Sequence, residues 1–353
     1  MAVPIGEWGR RLSDALRAAL ESRDLALAQR LAVDGDGQAR NLAKEYTFMY
    51  RGLGVTIRVL LPLLREKAVR TDATTVGADS AFDAVLLIYR FRNDFTEAMR
   101  RVWGDRICAN EAQGSLEEEI ERTVRALEAG EARFEREQVR LADEVARAID
   151  ARDVVRALAL LNHKERDQYL PLHDRLVRFM AESFGWVLRR FGAEELLRFH
   201  LATAEGQRAG FDKWEKMPAA EFAWTSAFLL KQHMGQVSVR EDDVKFTIDQ
   251  TPCGSGGRLR LGDAYIGPDA LPYVETPGPL TFGQPRLPVY CSHCAVWNGV
   301  ATLRWYGRAH WVFDNAARAD GGCSLHIYKK REDAPAEYAR QLALAAETLS
   351  DQA

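Results

Sequence analysis

Four of the five cysteines in this chain of 353 residues fall in its last third. They are Cys253, Cys291, Cys294 and Cys323. Thiolates are soft metal ligands, and two cysteines that are separated by two residues can both reach one ion from a single tight turn. Cys291 and Cys294 have this spacing, so the sequence predicts that the four side chains hold one metal centre.

Glycines flank two of these cysteines, because Cys253 is followed by the run Gly-Ser-Gly-Gly and Cys323 is preceded by two glycines. Glycine allows the backbone to pass close to a bound group, so such loops can donate N–H groups to sulfur or to an anion. Zinc suits a tetrahedral site of four thiolates, and the same ligands would also hold a [4Fe–4S] cluster. Buried, reduced cysteines without a metal are the third interpretation. Cys108 is predicted to be a small core or loop residue.

Two histidines lie near the predicted centre. His293 stands between Cys291 and Cys294 and is interpreted as a spacer, a proton carrier or a replacement ligand. His326 follows Cys323 by three residues in an alternating segment, so its side chain faces either solvent or a pocket. Both histidines are candidate catalytic groups that move protons.

Three further residues are candidates for a role in catalysis. Arg258 follows the glycine run and is placed to bind an anionic group, and a surface pair with Asp249 or Asp263 is its other interpretation. In the upstream part of the chain, His173 and Asp174 form a candidate acid–base pair. Pro171 predicts a break in the helix there, so that the histidines before and after it cannot serve together as metal ligands on one helix.

Three segments in the last third resemble one known family: Lys245–Asp249, the Cys291–Cys294 pair and Gly322–Tyr328. They are similar to segments of the L-2-amino-thiazoline-4-carboxylic acid hydrolase-like proteins, over roughly residues 236 to 330. The resemblance implies an α+β scaffold and the hydrolysis or ring opening of a small compound that contains sulfur or nitrogen. The second cysteine of the pair and the run CGSGGRL depart from that family's pattern. The resemblance therefore implies no particular catalytic residue.

The elements upstream of the cysteines are predicted to be helices. Apolar residues recur every three or four positions from residue 8 to about 235. The pair Arg23-Asp24 also matches the pair Arg152-Asp153 in a longer set of identities at one constant offset. Alanine-rich helices match one another by chance, but a shared pair between two helical runs favours an internal duplication.

The sequence thus predicts an α+β protein in three parts. Residues 1–130 form helical module 1 and residues 131–235 form helical module 2, and the two make a helical bundle. Residues 236–353 form a small, loop-rich antiparallel α+β metal-binding domain that ends in a helix after Pro335. Ser115 begins a predicted capping box that opens a long helix. Short strands are predicted in the third part at Val237–Arg240, Val244–Ile248, Arg258–Leu261, Val289–Tyr290, Leu303–Tyr306, His310–Phe313 and Ser324–Tyr328.

Composition narrows the class of protein. The net charge is -3 and the basic residues are intermixed with acidic ones, which disfavours binding to nucleic acid or to an anionic membrane. No run of eighteen apolar residues and no leader pattern is present, so a cytoplasmic protein with reduced cysteines is expected. Motifs that bind nucleotide phosphates are absent from the sequence. A small-molecule substrate is therefore expected. The sequence is also consistent with a homo-oligomer.

Three functions are consistent with these residues. The first is a metal-dependent enzyme that hydrolyses a small polar molecule or cleaves its C–N or C–S bond, with His293 or His326 moving protons and Arg258 holding an anionic group. Four thiolates leave zinc no open position, so this function requires one cysteine to leave the metal. The second is a structural zinc beside a helical bundle that binds a partner or ligand. The third is a redox or lyase role for an iron–sulfur cluster.

Overall fold

The computed structural model describes residues 3–35, 41–72, 116–340 and 342. The chain divides into two compact units. The first unit comprises Met1–Val3 and Arg10–Val177, and the second comprises Pro4–Gly9 and Arg178–Ala353. Helices dominate the first unit and an antiparallel sheet follows in the second, so the prediction of an α+β fold is confirmed.

The first unit is built from helices, and the last of them continues into the second unit. Apolar side chains at helical spacing form its core, among them Leu16, Leu20, Val145 and Leu161, which are fully buried. The helices are α1 Leu12–Glu21, α2 Leu25–Val33, α3 Thr47–Asp72, α4 Leu116–Asp150, α5 Val154–Asn162 and α6 Leu170–Glu205, with a π-helical turn at His163–Tyr169 between the last two.

The predicted repeat corresponds to two helical hairpins with the same capping. Asp24 precedes α2, and its carboxylate accepts a hydrogen bond from the N–H of Leu27 at 2.9 Å. Asp153 precedes α5, and its carboxylate accepts one from the N–H of Arg156 at 3.0 Å. These bonds satisfy N–H groups that the first turn of each helix leaves free.

The residue before each capping aspartate adopts the same unusual backbone conformation. Arg23 has a φ angle of 61° and Arg152 one of 58°. In both copies the N–H of the following aspartate donates to the carbonyl five residues earlier, at 2.9 and 2.8 Å. The left-handed residue therefore ends one helix and turns the chain into the next. The two Arg-Asp pairs occupy equivalent turns, as their spacing predicts.

The copies differ at the helix before the turn. The buried carboxylate of Glu45 accepts hydrogen bonds from the N–H of Leu12 at 2.8 Å and from that of Ser13 at 3.1 Å, and so caps the start of α1. The equivalent residue in the second copy is Asp174. The equivalent helix is α4, which runs without a break past Leu141 and offers no free N–H groups there.

The prediction that Pro171 interrupts the helix was wrong. The π-helical turn joins α5 to α6, so the chain stays helical from residue 154 as far as Gly192, whose φ of 85° and ψ of 179° interrupt the helical backbone inside α6. In that turn the N–H of Leu170 donates to the carbonyl of Glu165. The wide turn starts a new hydrogen-bond register, and the proline then falls in the first turn of α6, where a missing N–H is tolerated.

One segment of α3, Thr47–Lys67, is long and apolar enough to cross a membrane by length and composition alone. Half of that stretch is buried inside the protein. Arg51 and Arg58 on it form ion pairs with Glu135 and Glu131 of α4. Core helices of soluble proteins pass the same test, so the segment is weak evidence for a membrane.

The second unit contains a four-stranded antiparallel sheet with the order β1-β2-β6-β5 and a two-stranded ribbon of β3 and β4. Buried apolar residues such as Ile248 and Leu325 fill the central strands, which contact α8. The elements are α7 Arg208–Glu215, α8 Ala219–Gln232, β1 Val237–Glu241, β2 Lys245–Gln250, α9 Gly256–Leu261, β3 Tyr273–Val274, β4 Leu287–Pro288, α10 Ser292–Ala295, α11 Ala301–Tyr306, β5 Val312–Asn315 and β6 Cys323–Tyr328.

Three of the predicted strands were wrong. Arg258–Leu261 lies in helix α9, and Leu303–Tyr306 lies in helix α11. Val289–Tyr290 belongs to a 3-10 turn that begins a continuous helical run to residue 306. Runs of two to four apolar and basic residues are too short for periodicity to separate a strand from a helix. The chain is helical again at 336–340 and 342, and the rest of the predicted C-terminal helix, like Ser115, lies outside the described residues.

Candidate functional site

Four cysteines of the second unit come together from three separate segments. Cys253 precedes α9, Cys291 and Cys294 lie in the helical run from 289 to 306, and Cys323 is the first residue of β6. All four residues are partly exposed, and their thiols lie within electrostatic range of one another. We refer to these four residues as the cysteine cluster. Cys108 lies outside the described residues.

Hydrogen-bond donors surround the thiol of Cys253. The backbone N–H groups of Gly257 and Ser255 donate to its Sγ atom, and the hydroxyl of Ser255 lies 3.6 Å away. The hydrogen bond from Cys323 lowers the pKa of Cys253 well below the ordinary value of a thiol, and the N–H groups lower it further against the effect of burial. These donors therefore favour the thiolate form of Cys253.

The neighbouring thiol of Cys323 is in the opposite state. Its hydrogen bond to Cys253 and its burial raise its pKa well above the ordinary value. The side-chain amide of Gln250, its partner residue on β2, donates to its Sγ atom at 3.1 Å. Cys323 thus keeps its proton and shares it with the thiolate beside it.

Cys291 faces the first turn of α9. Arg260 donates through Nη1 to the Sγ atom of Cys291 at 3.4 Å. A Cβ at Gly256, one helical turn before Arg260, would lie 2.9 Å from the same sulfur, so only glycine leaves room for it. Burial raises the pKa of Cys291 to about 11, which keeps this thiol protonated beside the guanidinium.

Cys294 has a histidine as its partner. Its Sγ atom lies 3.4 Å from Nε2 of His293, and Nδ1 of His293 makes a short hydrogen bond to the carbonyl of Tyr290. Because a carbonyl accepts, Nδ1 carries the proton and Nε2 is left to accept from the thiol. Burial lowers the pKa of His293 to about 4 and raises that of Cys294 well above its ordinary value. The pair is therefore neutral.

The sequence did not identify His200, a fully buried residue of α6 that touches the same helical run. Its Nε2 lies 2.8 Å from the hydroxyl of Ser292, which itself donates to the carbonyl of Val289 at 2.6 Å. Burial lowers the pKa of His200 well below its ordinary value. Ser292 lies 92 residues further along the chain, and no sequence pattern connects the two.

His326 is not part of the cysteine cluster. Residues three apart on a strand point to opposite faces of the sheet, so His326 faces away from Cys323. Its ring lies 3.0 Å from the hydroxyl of Thr247 and 2.7 Å from the carboxylate of Asp314. Both bonds lie on the other face of the sheet, and a catalytic role of His326 stays a prediction.

Arg258 is half-buried on α9, and its backbone N–H donates to the carbonyl of Cys253 at 3.1 Å. The predicted pair between Arg258 and Asp249 was wrong. Asp249 pairs instead with Arg240 across β1 and β2 at 2.6 Å and accepts a hydrogen bond from Ser324. Arg260, two residues further along α9, contacts the cysteine cluster through Cys291.

His173 and Asp174 lie in the first unit, whereas the cysteine cluster belongs to the second. Nδ1 of His173 and a carboxylate oxygen of Asp174 are 2.9 Å apart. The histidine side chain is fully buried and the carboxylate is exposed. The acid–base pair that the sequence predicts is therefore formed as a contact, and its catalytic role stays a prediction.

The donor set of the cysteine cluster is the one that zinc and iron–sulfur clusters use. Within the described ranges, however, no three His, Cys, Asp or Glu side chains are arranged closely enough to hold a metal ion. The arrangement of the thiols as it stands is thus one of hydrogen bonds rather than of coordination. Binding of Zn²⁺ or of a [4Fe–4S] cluster by Cys253, Cys291, Cys294 and Cys323 stays a prediction.

Comparison with known proteins adds no relative. No protein-family model, no curated protein and no solved structure matches the chain. The resemblance of residues 236 to 330 to the L-2-amino-thiazoline-4-carboxylic acid hydrolase-like family therefore stays a prediction. A function can be inferred only from the geometry of the site itself.

Proposed function

We propose that this protein is a cysteine-dependent enzyme that cleaves a C–N or C–S bond in a small polar molecule, with Cys253 as its nucleophile. The observation that carries the proposal is the set of donors around one sulfur: two backbone N–H groups, the hydroxyl of Ser255 and the thiol of Cys323. The thiolate is the nucleophilic form of cysteine, and donors that favour it activate the residue.

The neighbouring thiol supplies the proton that such a reaction needs. The thiolate of Cys253 forms a bond to an electrophilic carbon, and the C–N or C–S bond at that carbon breaks. The leaving nitrogen or sulfur takes the proton of Cys323, which is hydrogen-bonded to the nucleophile. Water then adds its hydroxyl to the carbon, the bond from that carbon to Sγ breaks, and the second hydrogen of the water returns to Cys323. Both thiols regain their initial states.

The metal-dependent enzyme is the second candidate function, and one observation favours it. Four thiols from three segments share one cluster. Cys253 accepts hydrogen bonds from backbone N–H groups, as the sulfur ligands of metal sites also do. A metal held by the cysteine cluster would polarise a substrate carbonyl or activate water. The arrangement of the described side chains does not match such a centre, so no step is assigned to a metal.

Alkylation with iodoacetamide separates the two functions. The full chain is purified without chelators, its zinc, iron and sulfide are measured, and each cysteine is followed by peptide mass spectrometry from about pH 5 to about pH 10. We expect Cys253 to react first, at a rate that reaches its plateau at a lower pH than the rates of the other cysteines. Cys291 should react appreciably only above about pH 10, since its pKa is raised to about 11.

The matched control is Cys253→Ser, which should remove the fast phase and leave the slow ones. A stoichiometric metal, together with protection of all four cysteines until a chelator is added, would contradict the nucleophile and support the metal-dependent function. A first-reacting cysteine other than Cys253 would also contradict the proposal.

A further inference from the structure

A cleft of about 310 Å³ opens on the second unit beside the cysteine cluster. This volume is that of a site for a small molecule. Three arginines are the charged residues in its wall, and Tyr273 adds an aromatic ring. The lining residues are Arg260, Leu261, Tyr273, Arg286, Pro288, Ala317, Arg318 and Ala319.

Each side of the cleft is formed by a segment that carries a cysteine. Arg260 and Leu261 belong to α9, which follows Cys253, and Pro288 lies three residues before Cys291. Residues 317–319 belong to the loop that leads to Cys323. Arg260 connects the two sites directly, because the same guanidinium lines the cleft and donates to Cys291.

Two of the arginines have carboxylate partners. Arg286 lies 3.1 Å from Glu275 and stacks on Tyr273, with the guanidinium carbon 3.6 Å from the ring centre. Arg318 pairs with Asp320 at 3.3 Å. The stack on Tyr273 excludes water from one face of the Arg286 guanidinium and fixes that guanidinium in the wall of the cleft.

Arg260 is different, because it forms no ion pair with any carboxylate in the described part of the chain. Its Nη1 donates to Cys291, and its Nη2 donates to the carbonyls of Arg318 and Gly322 at 3.5 and 3.4 Å. These bonds fix the guanidinium and neutralise none of its charge. Its Nε–H makes no hydrogen bond to the described residues, which leaves a donor for a ligand.

We infer that this cleft binds the oxyanion group of a small molecule, a carboxylate or a phosphate, through Arg260 with Arg286 and Arg318 beside it. Planar guanidinium groups match the oxygens of both anions, and Arg260 forms no ion pair with a carboxylate of the described residues that would compete with such a ligand. The inference deepens the proposed function by naming the substrate class: a compound whose anionic group lies in the cleft while its reactive carbon reaches the cysteine cluster. It also moves the predicted anion-binding role from Arg258 to Arg260.

Thermal unfolding of the full chain with inorganic phosphate or sodium acetate tests the inference. A ligand that binds the folded state raises the midpoint in a saturable manner, whereas sodium chloride at the same ionic strength reports only screening. We expect a saturable rise with at least one of the two anions, and the stronger one identifies the group. Arg260→Ala should weaken the fitted affinity at least about tenfold, because charge-assisted hydrogen bonds are lost.

Three variants act as controls. Arg258→Ala, on the same helix, should keep the wild-type affinity, and Arg260→Lys should bind more weakly because it loses the planar fork. Arg286→Ala should also weaken binding, and it keeps the test decisive if Arg260→Ala fails to fold. Cys253→Ser should bind normally, so a failure of the nucleophile and a failure of the cleft are distinguishable. No saturable effect in the wild type, or equal affinities in wild type, Arg260→Lys and Arg286→Ala, would overturn the inference.

Discussion

Nε2 of His310 lies 3.1 Å from a carboxylate oxygen of Glu215, and this contact joins the segment before β5 to α7. Arg308 binds the same oxygen at 2.9 Å. The imidazole stacks on Tyr306 with ring centres 5.3 Å apart, and only 1% of its side chain is exposed. Despite the carboxylate, burial lowers the pKa of His310 from 6.5 to about 4. The histidine is therefore neutral in the folded protein.

The buried state of His310 predicts a loss of stability in acid. The unfolded chain binds a proton near pH 6.5 and the folded chain only near pH 4, so the free energy of unfolding falls as the pH falls between these values. The contribution is about 2–3 kcal/mol. Urea unfolding at about pH 7 and about pH 4.5 measures it. We expect His310→Gln to lose less stability than the wild type between the two pH values, and the exposed His163→Gln to lose as much. An unchanged loss in His310→Gln would contradict the assignment.

The repeated turn predicts equal costs for two distant substitutions. Asp24→Ala and Asp153→Ala should each lower the free energy of unfolding by about 1 kcal/mol, since each removes one capping hydrogen bond. Asp34→Ala is the control, because Asp34 lies at the C-terminal end of α2, where a negative charge is unfavourable. Urea denaturation measures all three. Clearly unequal effects of Asp24→Ala and Asp153→Ala would show that the two turns are not equivalent in energy.

The features that the sequence predicted correctly are local ones. The Arg-Asp turns, the strands β1, β2 and β6, and the glycine loop around Cys253 each follow from residues within one short window. Capping, alternation and glycine freedom act over a few residues, so a single sequence reveals them. The convergence of the cysteines could be expected from their types and spacing.

The missed residues depend on the element type or on long-range packing. In a strand, Arg258 and Arg260 would share one face and be equivalent candidates, but in α9 they lie 200° apart on roughly opposite sides of the helix. Gly256 and Arg260, one turn apart, are the residues that face Cys291. Likewise, the hydrogen bond between His200 and Ser292 depends on tertiary packing, because the two residues are 92 positions apart in the sequence.

A fully buried lysine near Glu45 in the first unit predicts a large effect of substitutions at Glu45. Its carboxylate caps α1, and its backbone carbonyl lies 3.5 Å from Nζ of the fully buried Lys164. Burial lowers the pKa of Lys164 to about 8, and the charge of Glu45 opposes that shift. Glu45→Ala should cost about 2–4 kcal/mol, because it leaves two N–H groups of α1 without their acceptor and removes a charge that favours protonated Lys164, while the contact of Lys164 with the backbone carbonyl remains.

The matched variant is Glu45→Gln, which keeps one acceptor oxygen for the N–H of Leu12 and removes only the charge. It should cost clearly less than Glu45→Ala. Without the charge of Glu45 the pKa of Lys164 falls further below its ordinary value of 10.5, so the stability of this variant should rise with pH between the folded and the unfolded pKa of the lysine. Chemical denaturation at about pH 7 and about pH 9 measures both effects. Equal costs for the two variants, each below about 1 kcal/mol, would show that neither the cap nor the charge contributes much.

The last prediction concerns the glycine that donates to the nucleophile. A Cβ at Gly257 would overlap the carbonyl oxygen of Gly321, which accepts the N–H of Cys253 at 3.0 Å. Gly257→Ala must therefore push the loop before Cys323 away from Cys253 and weaken the donors on its sulfur. Weaker donors raise the pKa of Cys253, so the pH profile of its alkylation by iodoacetamide should move to higher pH, and at pH values below the new pKa the reaction should slow about tenfold for each unit of the rise.

Two variants separate this local effect from a general loss of structure. Gly278→Ala has no atom within 4 Å of the added Cβ and should keep both the wild-type thermal midpoint and the wild-type alkylation rate. Ser255→Ala keeps both backbone donors and removes only the hydroxyl at 3.6 Å from Cys253, so it should slow the reaction less than Gly257→Ala does. Peptide mass spectrometry follows Cys253 in samples that still unfold cooperatively. Wild-type reactivity in a folded Gly257→Ala protein would mean that the backbone donors do not set the state of this thiol, and the nucleophile would have to be sought elsewhere in the cysteine cluster.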